Sequence, residues 1–341
     1  MRYLSSCERC ANCLGSDFRR IVSLAVAHHL HTIVVPLHRL LPKITRTILA
    51  LATLFFFYSP SVLAQDDDVV RVNTDLVVLN VTVTDASGQY VPGLRLADFK
   101  VFEDGKEVPA QLISSFNVHE SPFASVVLLD TSTSMESRLS LARSAAIRFL
   151  DRLRPEDVAA VFNFDSKVQQ VQEFSGGRDL APMAYGLHTK GMTRLNDAVV
   201  DAVKALSERE ELRKAIVILS DGMDTSSKAT ADKAVETALS IGATIYAVDM
   251  SATGNGKNDQ RSAAVLKSFA DKTGGRFIDT PGGPALRDAF ANIADELSHQ
   301  YTIAYRPLNR TRDGKWRKLE VKLSRPELSV RTRKAYRAPK G

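Results

Sequence analysis

Two different periodicities run along this chain, and they divide it into parts. From about residue 70 the period is two: Val77, Leu79, Val81 and Val83 alternate with Val78, Asn80, Thr82 and Thr84, which predicts a strand with one buried face. Asp85-Ala86-Ser87-Gly88 then turns the chain. Glu103-Asp104-Gly105-Lys106 turns it again between Phe99-Lys100-Val101-Phe102 and Val108-Pro109-Ala110-Gln111, so hairpins are expected here. A matching set returns only at the far end, in Tyr301-Thr302-Ile303-Ala304-Tyr305, in Leu319, Val321 and Leu323, and in Ser329-Val330-Arg331. Neither set alone has enough strands for a stable sandwich. Together they supply enough, with everything between them inserted.

The middle has a different rhythm. Leu139, Ala142, Ala146, Phe149, Leu150 and Leu153 fall at helical spacing, as do Leu195, Ala198, Val199, Ala202 and Leu206. Between and after them come apolar runs that read as strands, over Val158–Phe164, 214–220, Thr244–Asp249 and 276–279. Strands alternating with helices predict an α/β fold, a doubly wound, mostly parallel sheet of Rossmann-like type. Residues 168–174, directly after Ser166-Lys167, are expected to pair with their predecessor as an antiparallel edge strand. Residues 251–260, with two glycines and several polar residues, are expected to form a loop.

Candidate chemistry gathers at strand ends. The run Val126-Val127-Leu128-Leu129 closes on Asp130-Thr131-Ser132-Thr133-Ser134, a second run over 215–220 closes on Asp221, and Thr193 follows Gly191 just before a helix. In open α/β sheets, strand ends are the ligand edge. Asp130, Ser132, Ser134, Thr193 and Asp221 offer oxygen alone, and an oxygen-only set suits a hard divalent cation such as Mg²⁺. Five side chains fill at most five of the six positions of an octahedral ion, so one position faces solvent and an incoming carboxylate would complete the shell.

The order DxSxS, then Thr, then Asp in a Ser-Asp-Gly turn is similar to the metal-ion-dependent adhesion site of von Willebrand factor type A domains. The wider layout resembles a family of exported bacterial proteins in which short β segments flank such a domain, and the resemblance covers about residues 70 to 337. It implies that Ser132, Ser134 and Thr193 ligate Mg²⁺ or Mn²⁺ directly, while Asp130 and Asp221 act through water. It also implies a domain over 122–299 between β segments at 70–120 and 300–337, and a protein ligand that presents an Asp or Glu carboxylate.

Charge and the leader refine the picture. The net charge is +6, but residues 1–64 hold seven Lys/Arg and two Asp/Glu, which leaves the remainder near +1. No basic stripe with interleaved aromatics is left, so nucleic acid is not an expected partner. Arg331, Arg333, Lys334, Arg337 and Lys340 read as an exposed strand and tail. Within the leader, Lys43 and Arg46 precede an apolar stretch from Thr47 to Phe57, which gives way to Ser59-Pro60 and Val62-Leu63-Ala64. That is an export signal, with Gln65 as the first mature residue. The alternative is an uncleaved membrane anchor over 47–64, close to the ~17-residue lower limit for a spanning helix. Both readings place the rest outside the cytoplasm, secreted or periplasmic in one and anchored facing outward in the other.

All three cysteines, Cys7, Cys10 and Cys13, lie in the leader, so the mature part has no thiol and no disulfide. An enzymatic reading competes weakly. The run ending in Asp130, with Asp221 and Asp224 after a second strand, also resembles haloacid-dehalogenase phosphatases, which implies an Asp acid two residues after the nucleophile; that place is here Ser132, and losing general-acid help costs ~10²-fold or more. His119, His188 and His299 have no motif around them. A cell-envelope structural module without a working metal site is the third reading. The leading expectation is a non-enzymatic, metal-dependent binding protein.

Overall fold

The computed structural model describes residues 76–118, 121–176, 191–251, 257–279 and 283–341. The leader with its cysteines, its signal or anchor, the start of the N-terminal β segment, His119, His188 and residues 252–256 lie outside them. By contacts the chain divides into Met1–Arg71 and Val72–Gly341, and the description concerns the second unit. Among the described residues, no helix is long and apolar enough to cross a membrane.

The chain begins with β1 (Val77–Thr84), β2 (Phe99–Glu103), β3 (Lys106–Glu107), β4 (Ile113–Val118) and β5 (Phe123–Asp130). Then follow α1 (Leu139–Leu150), β6 (Val158–Phe164), β7 (Val168–Gly176), α2 (Leu195–Ser207), β8 (Arg213–Ser220), α3 (Ala231–Ser240), β9 (Thr244–Asp249), α4 (Lys257–Thr273), β10 (Phe277–Asp279) and α5 (Gly283–Ser298). The end is all β: β11 (Tyr301–Tyr305), β12 (Trp316–Leu323), β13 (Ser329–Arg331) and β14 (Ala335–Arg337).

The two ends do interleave. One sheet runs β13-β1-β11-β4 and another β14-β12-β2-β3, so each mixes strands from both termini. β1 lies antiparallel to β11, with Leu79 opposite Ile303, and β2 lies antiparallel to β12, with Val101 opposite Val321. The alternate apolar residues read from the sequence close into one core that joins Leu79, Val81 and Val101 to Tyr301, Ile303, Val321 and Tyr336. The β2–β3 hairpin turns on Asp104 (φ 48°) and Gly105 (φ 79°), the left-handed pair that a two-residue turn of matching twist requires. Its second strand is Lys106–Glu107, not the stretch 108–111 expected from the sequence. β3 stops at Glu107, and Ala110–Leu112 form a 3₁₀ turn, because Pro109 has no N–H to give a ladder.

The central sheet has the order β10-β9-β8-β5-β6-β7, parallel except for β7, the antiparallel edge strand expected over 168–174. α2, α3 and α4 cover one face, packing Leu195, Val199, Val235 and Phe269 on Val126, Leu128, Ile216 and Ile245. α1 and α5 cover the other, packing Phe149, Phe290 and Ile293 on Val127, Leu129, Val217 and Val248. β5 is buried along its whole length, which explains why it reads as a continuous apolar run. The loop expected over 251–260 is helical from Lys257 onward.

A buried polar seam joins the sandwich to the α/β part. Glu296 of α5 is 1% exposed. Its Oε1 accepts from Thr82 Oγ1 (3.1 Å), from the Tyr246 hydroxyl (2.9 Å) and from the Arg331 guanidinium. Gln300 Nε2 donates to both Thr82 Oγ1 (3.2 Å) and the Tyr246 hydroxyl (2.9 Å). Arg333 spans the same boundary, donating to the Leu239 carbonyl at 3.0 Å and the Val78 carbonyl at 2.8 Å. This corrects the sequence reading of Arg331 and Arg333 as part of an exposed tail. Both are tied into the seam, and Arg333 is 7% exposed.

Candidate metal centre

The chain enters the central sheet at β5, winds outward to β6 and β7, and returns to β8 on the other side of β5 before winding outward again. The strand order therefore reverses between β5 and β8, and their carboxyl ends lie at this switch point, the position where open α/β sheets bind ligands. Asp130 is the last residue of β5, and Asp221 directly follows β8. Both site carboxylates stand at this switch point because of how the sheet is wound.

Asp130 is fully buried. Its Oδ1 accepts from the Ser132 backbone N–H at 2.9 Å, and its Oδ2 accepts from Ser220 Oγ at 2.5 Å. Ser220 Oγ in turn accepts from the Gly222 N–H at 3.0 Å, so one hydroxyl ties the two strand ends together. Burial pushes the Asp130 carboxyl up to about 6, against the lowering effect of these hydrogen bonds, and the nearby Asp221 adds to the rise.

The first loop is pinned at both ends. Thr131 donates through N–H and hydroxyl to the Phe164 carbonyl, at 2.8 and 3.2 Å. A 3₁₀ turn over Thr133–Arg138 then buries Met135 in the core. Between these anchors the hydroxyls of Ser132 and Ser134 lie 3.0 Å apart. Ser132 is 1% exposed, whereas Ser134 is open to solvent.

Thr193 arrives on a second loop. Its N–H donates to Thr225 Oγ1 at 2.9 Å, and its carbonyl accepts the N–H groups of Thr225 and Ser226, both at 3.0 Å. The Thr193 loop is thus laced to the Asp221 loop, and Thr133 Oγ1 reaches the Gly191 carbonyl at 3.4 Å to join the first. All five residues singled out from the sequence are brought to one edge. Thr193 and Asp221 are 3% and 7% exposed.

Gly222 makes the Asp221 turn feasible. It has φ +75°, and a Cβ placed there would lie 2.5 Å from the Ser262 carbonyl oxygen of α4. Gly222→Ala should cost about 2–3 kcal/mol through strain and overpacking, seen as a lower midpoint in denaturant. A midpoint equal to wild type would mean that α4 yields easily.

The residues present fit a divalent cation. Asp221 stands close enough to the wholly buried Asp130 to add to its rise, and among the described residues neither carboxylate forms an ion pair with Lys, Arg or His. Buried charge without a counterion is costly. A hard cation is the counterpart that oxygen donors select.

Sequence reasoning did not foresee the part that three further residues play. Ser220 precedes Asp221 and was read only as the end of an apolar run. Asp249 ends β9, lies opposite Ser220 in the parallel register, and is raised first by burial and in part by Asp221. Asp224 accepts from the N–H of Asn196 at 2.8 Å and of Ser227 at 3.0 Å, holding the first turn of α2 against the site. The repeated closure of apolar runs on an Asp, at 130, 221 and 249, was the available signal. His299 stacks on Tyr90 and bonds the Asp295 carbonyl, a structural role away from these loops.

Residues 125–223 match the family model of the von Willebrand factor type A domain. Among curated proteins, none matches. Similar solved structures include the PilB minor pilin from Streptococcus sanguinis, 14% identical with TM-score 0.43, where the match covers 52% of this chain and 61% of the pilin. A von Willebrand factor type A protein from Catenulispora acidiphila is 14% identical with TM-score 0.46, covering 71% of this chain and 72% of that one. The vWF domain of the type V pili tip protein Mfa5 from Porphyromonas gingivalis is 15% identical with TM-score 0.43, covering 51% and 94%. This chain spans about three fifths of the pilin's length. Within its α/β part, residues 125–223 are related in sequence to the von Willebrand factor type A domain.

Proposed function

We propose that this protein is an exported, non-enzymatic binding protein that captures an acidic group of a protein partner at a Mg²⁺ or Mn²⁺ site on the β5–β8 edge. Domains of this type are in general interaction modules. The observation that carries the metal reading is the convergence of Asp130, Ser132, Ser134, Thr193 and Asp221 on three mutually bonded loops, with a buried carboxylate left without a counterion among the described residues. When bound, the ion supplies a Lewis-acidic position open to a partner's carboxylate.

The chain's own residues do the rest. Ser132, Ser134 and Thr193 present neutral hydroxyls, so the atoms that would touch the ion donate no charge and leave it electrophilic toward an incoming carboxylate. Asp130 and Asp221 balance the charge and are held in place by Ser220, Ser132 and Met223 backbone or hydroxyl groups. Met135 fixes the first loop by burial. The leader pattern at Lys43, Arg46 and the following apolar stretch supports export.

Thr193→Ala removes a donor whose backbone, not its hydroxyl, makes the loop contacts. It should leave the melting temperature in EDTA near that of wild type and weaken partner capture by at least tenfold. Capture should vanish in EDTA and return with Mg²⁺. Capture that continues unchanged in EDTA would rule out the metal bridge and shift attention to the β-sandwich as the binding surface.

A further inference from the structure

A second concavity, remote in sequence from the metal loops, lies where α3 and α4 meet β12 and the segment leading into β14. It measures about 510 Å³, inside the ~300–1,000 Å³ span of small-molecule sites. Val235 and Leu239 of α3 and Ala335 form its apolar wall, and Trp316 of β12 stands at its rim 48% exposed. An indole left half in water beside an apolar hollow offers a stacking face for a ligand.

The charges around the hollow decide what that ligand is. Three carboxylates line it, and each already has a cation. Asp232 pairs with Lys272 at 3.0 Å, Asp271 pairs with Lys267 at 2.9 Å, and Glu236 pairs with Arg337. The lining cation left over is Lys334, which is exposed and forms no ion pair among the described residues. An apolar hollow with one uncommitted ammonium at its edge matches a ligand with an apolar body and a single anionic head.

We infer that the hollow between α3, α4 and β12 is a binding site for a small amphiphilic monocarboxylate, with the apolar body against Val235, Leu239 and the Trp316 indole and the carboxylate on Lys334. The inference is independent of the metal site. Nothing in it involves Asp130, Thr193 or a bound cation.

Trp316 is the only tryptophan of the chain, so intrinsic tryptophan emission reports on this hollow directly. Titrating the full chain with decanoate, kept below its micelle concentration, should give a saturable change in emission, with decan-1-ol binding about tenfold more weakly. Lys334→Gln should weaken decanoate about tenfold and leave decan-1-ol unchanged, the size expected for one charge-assisted contact. Lys334→Glu should reverse the preference in favour of the decyltrimethylammonium ion. Because the Lys334 side chain is exposed, both variants should keep the wild-type melting temperature. The proposal is overturned if decanoate gives no saturable change, if decanoate and decan-1-ol bind alike, or if Lys334→Gln binds decanoate as wild type does.

Discussion

Asp130→Asn should leave the chain folded and erase its stabilisation by Mg²⁺. For the wild type, free Mg²⁺ at one hundred times its dissociation constant should add about 2.7 kcal/mol to the unfolding free energy, since the ion binds the folded state alone. Asn keeps the size of the buried side chain and one acceptor for the Ser132 N–H or the Ser220 hydroxyl, which Asp130 now serves at 2.9 and 2.5 Å. What it removes is the charge. Asp130→Ala should go further and cost about 1–3 kcal/mol even in EDTA, because both donors then lose their acceptor in a buried place. Thermal unfolding in EDTA and in Mg²⁺ or Mn²⁺ checks both. A wild-type melting temperature indifferent to either ion would count heavily against the site.

The second large effect lies at the seam, not at the site. Glu296→Ala should destabilise the protein by about 3–5 kcal/mol, because it strands the partly buried Arg331 guanidinium together with the hydroxyls of Thr82 and Tyr246. Burial and the neighbouring Glu296 hold the Tyr246 phenol well above its ordinary range, so it stays protonated and keeps donating. Replacing Glu296 and Arg331 together by apolar residues should cost much less than the single change, since the desolvation of the pair is then removed as well. Denaturant unfolding of the single and double variants measures the difference. A loss below 1 kcal/mol for Glu296→Ala would mean that sandwich and α/β part cohere without this seam.

How much of this was legible from the sequence depended on the range of the interaction. The alternation at Val77, Leu79, Val81 and Val83 and the apolar run at 126–129 are local, and both elements are where the pattern placed them. The five site residues were visible because strand ends and turns declare themselves within a few residues. Ser220 was not, since its work is a bond to Asp130, ninety positions away. Asp249 went unnoticed for the same reason, as it meets the site only through the parallel register of β8 and β9.

Long-range partners also reversed one reading. Arg331 and Arg333 look like a basic tail when counted along the chain. Glu296, on a helix face 35 residues earlier, and the carbonyls of Leu239 and Val78 tie them into the seam, Arg331 partly buried and Arg333 buried. The displaced β3 had a local cause that was in plain view, Pro109, but was outweighed by the apolar residues around it.

The proposed metal bridge requires that the β5–β8 edge hold a divalent cation through Asp130, Ser132, Ser134, Thr193 and Asp221. Electron paramagnetic resonance of Mn²⁺ titrated into the full chain tests it most directly, because the free ion's signal falls as the ion binds. A single Mn²⁺ per chain is expected, displaced by Mg²⁺, weakened in Thr193→Ala and absent in Asp130→Asn. Free Mn²⁺ at every ratio, or equal binding by wild type and Asp130→Asn, would contradict it.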